Sequence, residues 1–279
     1  MKPIRIFYHL YIPSNVYASS WPIWVDQQLG LLISAGLTPN STVYMTITMP
    51  KYWNDCNGYK FRKNNKISSD ISVEYCLFYE KVIEYITLRY PFVSILDIRD
   101  SGEPNIYEGQ CLRFIHSMSK HEDAYYLYFH SKGISTISEL STHSWREVLG
   151  YYMISEWKNC IRLLSTHDVV CVLDAGQKVQ IKSKMPIFPS GNFWWANTTY
   201  INTLPEPLDS SKYLSDEYID AYPNGVSYRY CFERWISTGL PKFGVMIDTD
   251  TAHYDNYCFL EHINNKIYIP YTINSKDYI

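Results

Sequence analysis

The chain has no Gly-x-Gly pair, so the Rossmann dinucleotide fingerprint is missing, and it has no P-loop, Gly-x-Ser-x-Gly elbow or His-Glu-x-x-His. Dehydrogenase, nucleotide triphosphatase, esterase-type hydrolase and zinc peptidase all lose support. There is no Cys-x-x-Cys either. The seven cysteines lie far apart, which argues against a zinc ribbon or a redox dithiol. Their odd number fits reduced thiols and a cytoplasmic setting. No apolar run approaches the roughly 18 residues of a membrane span. The Met1-Lys-Pro-Ile-Arg5 start reads as a first strand and not as a secretory signal. An excess of one charge is missing too: 25 basic and 28 acidic residues give a net charge of −3, with no basic stripe, so nucleic acid is not an expected partner.

Aromatic residues are abundant, with 27 Tyr, 8 Trp and 11 Phe in 279 residues. Such rings stack on the C–H faces of sugars, and most of them also serve as large core residues. The pattern alternates between strands and helices. Ile4–Ile12, Thr42–Thr48, Phe92–Ile98, Ala124–Phe129, Asp168–Leu173 and Phe193–Ala196 read as strands. Trp21–Ala35 reads as a helix, with Pro22 in its first turn and Gly36 as its stop. A second helix is expected at Ser72–Arg89 after a polar loop at Lys51–Ser69. Asn105-Ile-Tyr-Glu108 and Ser144-Trp-Arg-Glu147 have capping-box spacing, opening helices to about Met118 and about Leu164. A helix from about Tyr228 to Thr238 should end at Gly239, and Ile267–Ile269 reads as a last strand. The expectation is an α/β fold: one domain over residues 1–279, with a mostly parallel sheet covered by helices on both faces.

Chemistry concentrates where apolar runs end, the edge at which open α/β sheets bind ligands. His130-Ser-Lys-Gly133 follows the fourth strand. Lys132 suits phosphate oxygens, Gly133 permits a close backbone approach, and His130 can donate a hydrogen bond or bind a metal. Gly191-Asn-Phe-Trp-Trp195 places two adjacent tryptophans on opposite faces of a strand, so that one could be core while the other lines a sugar-sized pocket, or both could be packing. Glu233 stands among Phe232, Trp235 and Ile236, a setting that suits a general base, although taken alone an i,i+4 pair with Arg229 is the better explanation. Asp248-Thr-Asp250 with His253 nearby is a candidate divalent-metal cluster.

Taken in order, these segments resemble GT-A-type glycosyltransferases, closest to rhamnan-synthesis-type transferases of bacterial cell-wall polysaccharides and to relatives in large DNA viruses. The resemblance rests on His130-Ser-Lys132, Trp145-Arg146, Gly191-Asn-Phe-Trp-Trp195 and Glu233-Arg-Trp235, with a weaker likeness at Asp97-Ile-Arg-Asp-Ser-Gly102. It covers about residues 92–239. It implies a GT-A-like (Rossmann-like) domain, with a nucleotide-sugar half at about 1–135 and an acceptor and catalytic half at about 136–279. The implied reaction moves a sugar, rhamnose or another hexose, from a nucleotide-diphosphate donor (UDP or dTDP) to a saccharide, with inversion. Glu233 would be the base. Tyr8, His9, Tyr11, Asp97, Asp100, His130, Ser131, Lys132 and Gly133 would hold the donor. Trp145, Arg146, Asn192, Trp194, Trp195 and Arg234 would hold the acceptor, and Lys132 with Arg146 or Arg234 could neutralise the leaving diphosphate in place of a metal. Members with Asp-x-Asp after the fourth strand use Mn²⁺ or Mg²⁺; this chain has His-Ser-Lys there, which leaves His130, Asp248, Asp250 and His253 as metal candidates. That departure also keeps open a catalytically inactive, carbohydrate-binding version of the same fold.

Overall fold

The computed structural model describes residues 2–12, 21–49, 80–100, 108–131, 140–172, 188–207, 232–246 and 271–274. Its centre is one eight-stranded sheet. The strands are β1 (Ile4–Tyr11), β2 (Ser41–Met49), β3 (Val93–Asp100), β4 (Tyr125–His130), β5 (Val169–Cys171), β6 (Trp194–Asn197), β7 (Lys242–Val245) and β8 (Tyr271–Asn274). In space they run β3-β2-β1-β4-β6-β5-β7-β8. β1 pairs in parallel with both β2 and β4, and β2 with β3. β6 is antiparallel to β4 and β5, and β8 is antiparallel to β7. The α/β expectation therefore holds, and the sheet is mostly parallel. The first half steps from β1 outward to β3 and then returns to the other side of β1 for β4. That reversal makes the carboxyl ends of β1 and β4 a topological switch point, where a crevice is expected.

Strand alternation sends two sets of side chains to two helical layers. Ile4, Ile6, Tyr8, Leu10, Leu127, Phe129 and Trp195 join one core. It lies under α1 (Trp21–Ser34), a helix at 80–89 (α2), α4 (Leu140–Gly150) and α5 (Trp157–Leu163). Phe7, Tyr126, Tyr128, Trp194 and Ala196 join the other. That face is covered by α3 (Gly109–Ser119), the short α6 (Thr198–Ile201) and a helical turn at 232–235.

Some boundaries differ from the sequence expectation. Glu108 is the residue before α3 and makes no side-chain cap, because its carboxylate accepts a 2.6 Å hydrogen bond from Tyr128 Oη. α4 begins at Leu140, which puts Ser144 inside the helix and not at its cap. The single helix expected through Leu164 is broken by a π-helical turn, Tyr151–Ser155. Widening the turn releases carbonyls from the regular ladder. Two of them are taken up by side chains: Trp195 Nε1 donates to Met153 O at 2.7 Å, and Cys160 Sγ donates to Tyr152 O at 3.3 Å. The predicted stop at Gly36 is borne out by its φ of 69°. Near Gly239 it is Leu240 that takes the left-handed conformation, with φ 53°. The loop expected at 51–69 and the strand at 267–269 lie outside the described residues.

Candidate functional site

Register places four polar residues in one row across the carboxyl edge. His9 pairs with His130 on one side and Thr46 on the other, and Thr46 pairs with Asp97 after a bulge at Met45/Thr46. His9 is buried, with Nδ1 3.0 Å from Thr46 Oγ1, and burial pulls its imidazole down to about 4. It is neutral at physiological pH. Cys111 on α3 reaches the same threonine, and burial pushes its thiol up to about 12, which makes it inert as a nucleophile. Asp97 accepts a 2.6 Å bond from Arg99 Nε at the outer end of the row.

The segment ahead of β6 reaches this edge because β6 runs against its neighbours. The amino end of an antiparallel strand lies at the carboxyl edge of the others, and Trp194 pairs with Tyr128. Gly191 (φ 79°) and Asn192 (φ 54°) turn the chain through two left-handed positions in succession. Glycine is required at the first. A Cβ there would stand 2.8 Å from Leu149 Cδ1 and 2.9 Å from Trp145 Nε1. The turn aims Gly191 O at His130, whose Nε2 donates to it at 3.0 Å. Asn192 Oδ1 accepts from Trp194 Nε1 at 3.1 Å. An indole N–H can only donate, so this bond fixes the amide orientation. It leaves Asn192 Nδ2 buried without a hydrogen-bond partner.

On the α3 face two carboxylates converge on one phenol. Tyr128 is fully buried and its Oη bonds Glu108. Burial first, and then the charges of Glu108, Cys111 and Glu233, hold the phenol far above its ordinary range. Glu233 is itself buried, at the upper end of the 232–235 turn. Glu108 is the residue that sequence reasoning missed as part of this edge. Its spacing suggested a helix cap, and only the placement of Tyr128 reveals its other role. On the α1/α4 face the chemistry is cationic and neutral. The Arg146 guanidinium lies 3.6 Å from the Trp24 ring centroid. Burial lowers it to about 10, so it stays protonated. The Glu147 carboxylate next to it in the chain acts in the opposite direction to burial. Gln28 Nε2 donates to His130 O at 2.9 Å, while Gln28 Oε1 and Tyr8 Oη are buried without hydrogen-bond partners.

No family model matches this chain, and none of the curated proteins matches it in sequence.

Several residues expected to touch ligand are structural. Trp194 and Trp195 are wholly buried on opposite faces with both indole N–H groups bonded, so packing, and not a sugar platform, is the role the structure supports. Tyr8 stacks on Phe129 at 4.6 Å inside the core and offers no face to a base. Ser131 Oγ accepts from Tyr11 N at 2.8 Å and donates to Tyr11 O at 3.2 Å, which clasps the ends of β1 and β4 together. Trp145 packs on Gly191, and Arg234 lies 5.0 Å from the Phe188 ring centroid. Lys132, Gly133, Asp248, Asp250 and His253 lie outside the described residues, as does the side chain of Asp100. His130, the one metal candidate that is described, spends Nε2 on a carbonyl, so this nitrogen is not a ligand. Among the described residues no three His, Cys, Asp or Glu are placed to hold a metal ion, and no helix is long and apolar enough to cross a membrane. An open groove of about 450 Å³ lies at the opposite, amino edge, lined by Lys120, Glu122, Asp123, Thr198 and Asn202. It contains none of the residues discussed above.

Proposed function

We propose that this protein is a nucleotide-sugar-dependent glycosyltransferase that works at the crevice between β1 and β4, with Glu233 as base. The observation that carries the reading is the split character of that edge. A buried acid, Glu233, lies on one side of the sheet and a buried cation, Arg146, on the other. Displacement at a sugar carbon asks for such a division. A carboxylate takes the proton of the attacking hydroxyl as the new C–O bond forms, and positive charge meets the diphosphate that leaves on the opposite side. Arg146 is held flat on Trp24, so its charge is pre-organised. The unmatched groups at the same edge, Asn192 Nδ2, Gln28 Oε1 and Tyr8 Oη, supply both donor and acceptor valences of the kind a polyhydroxylated ligand or water satisfies. The resemblance of His130-Ser-Lys132 and Glu233-Arg-Trp235 to GT-A enzymes supports the same assignment.

Thermal denaturation with UDP, dTDP, GDP and CMP, each with Mn²⁺ or with EDTA, tests this reading. A selective rise with one diphosphate is expected, because a ligand bound only by the folded state stabilises it. Loss of the rise in EDTA would bring a metal into the site. No rise with any nucleotide would reject donor binding and favour the carbohydrate-binding version of the fold.

A further inference from the structure

Glu233 is carried by a very short helical turn, and what fixes that turn lies some distance from it. Three successive residues after α6 act as a strap. Leu204 O lies 3.1 Å from His116 Nε2, Pro205 O accepts from Trp235 Nε1 at 2.8 Å, and Glu206 Oε2 lies 3.3 Å from His116 Nδ1. Arg113 Nε donates to the other Glu206 oxygen at 3.0 Å. The Trp235 ring meets the His116 ring edge-on, with centroids 6.0 Å apart at 84°. Tyr200 Oη closes the arrangement by donating to Ile236 O at 2.6 Å. Two side chains of α3, one strap and one tryptophan therefore interlock beside the turn that carries Glu233.

We infer that His116 is a positioning residue for Glu233, acting through the Leu204–Glu206 strap and Trp235. This rests on the reading of Glu233 as the base. Both ring nitrogens of His116 face groups that can only accept: a carbonyl oxygen and a carboxylate. With Arg113 on the other Glu206 oxygen, these contacts hold the strap to α3 on both sides of Pro205, whose carbonyl is fixed where Trp235 needs it. Trp235 then anchors the turn that carries the acid, two residues along the chain from it. His116 touches neither Glu233 nor the switch point, so its effect is on the placement of the acid and not on donor binding. Placement matters because a displacement of about 1 Å at a reacting group costs about 100-fold.

The test compares H116A, H116Q and E206Q with the parent by hydrogen exchange and by steady-state transfer. In H116A the amides of residues 232–240 should exchange at least tenfold faster, while those of β1 and β4 stay unchanged. H116Q keeps one N–H for Leu204 O and should recover most of the protection, and E206Q should lose about threefold. Transfer by H116A should lose kcat at least tenfold at unchanged donor KM. Unchanged exchange at 232–240 in both H116A and E206Q overturns the positioning role. So does transfer within twofold of the parent when E233Q has lost it. If H116A does not fold, E206Q and H116Q carry the same comparison. Faster exchange in a protein whose parent transfers no sugar leaves the strap established and rejects the transferase reading instead.

Discussion

The two faces of the sheet's carboxyl edge are built from the same strands yet hold opposite chemistry. On the α1/α4 face a buried guanidinium lies over Trp24, and the Gln28 amide and the Tyr8 phenol are buried on the same side of the sheet. On the α3 face two buried carboxylates share the Tyr128 phenol beside a neutral histidine. A buried charge is costly unless it is satisfied. The acids Glu108 and Glu233 and the cation Arg146 are buried on opposite sides of one sheet. Such an arrangement suits a reaction that develops positive and negative demands at two ends of one ligand.

The sharpest way to break the comparison is to silence the acidic face alone. E233Q keeps the shape and removes the charge. Loss of a general base lowers transfer by about 10² to 10⁴-fold. The diphosphate-induced rise in melting temperature should be unchanged, because the donor's charge is met on the other face. Transfer near the parent rate would remove Glu233 from the chemistry.

The histidine of the acidic face predicts a pH effect on stability. Burial pulls His9 down to about 4, whereas an unfolded histidine titrates near 6.5. Between those values the unfolded chain binds a proton that the folded chain refuses, so stability rises with pH across the window. The His9 contribution is complete above about pH 6.5 and is lost as pH falls toward 4, a change on the order of 3 kcal/mol. Urea unfolding at pH 4.5 and pH 7 should show a smaller difference in H9Q than in the parent. An equal difference in both proteins would assign the acid sensitivity elsewhere.

The cationic face should respond differently. R146M keeps most of the stem but loses the stacked charge, costing about 1–2 kcal/mol of stability and the diphosphate-induced shift together. R146K should not restore the shift, since an ammonium cannot lie flat on Trp24 as a guanidinium does. A normal shift in R146M would show that the leaving group is met by another cation.

The elements that carry this division are legible in the sequence, the division itself is not, and the differences have physical causes. Strand positions follow from apolar runs, and the helix expected at Trp21–Ala35 spans Trp21–Ser34, because Pro22 and Gly36 act locally at its two ends. The opposite facing of Trp194 and Trp195 follows from strand geometry, but their burial depends on what packs above them, which spacing does not encode. The apolar period from Trp145 to Leu164 passes through the π turn almost undisturbed, because periodicity records which face is apolar and not which carbonyl each N–H chooses. Glu108 had the spacing of a capping residue; a tyrosine twenty positions later took its carboxylate. The antiparallel entry of β6, which brings Asn192 to the edge, is a property of topology and leaves no mark on the strand's own residues.

The smallest effect compares the two faces most directly, because Trp194 and Trp195 are neighbours in sequence and differ mainly in what their N–H groups serve. Phenylalanine at either position removes one hydrogen bond and part of a ring. In W195F the bond lost is to Met153 O, a carbonyl held in place by the π turn, with no freedom to find another donor. In W194F the bond lost is to Asn192 Oδ1, on a side chain that can rotate and whose amide already has an unmatched donor. Leaving a buried acceptor unsatisfied costs about 1–3 kcal/mol. W195F should therefore lose about 1 kcal/mol more than W194F in urea unfolding. W194F should in exchange change ligand-induced stabilisation, since it frees Asn192 at the edge, while W195F should leave that stabilisation as it is. Equal losses with equal ligand response would mean that the two faces are not separable at β6.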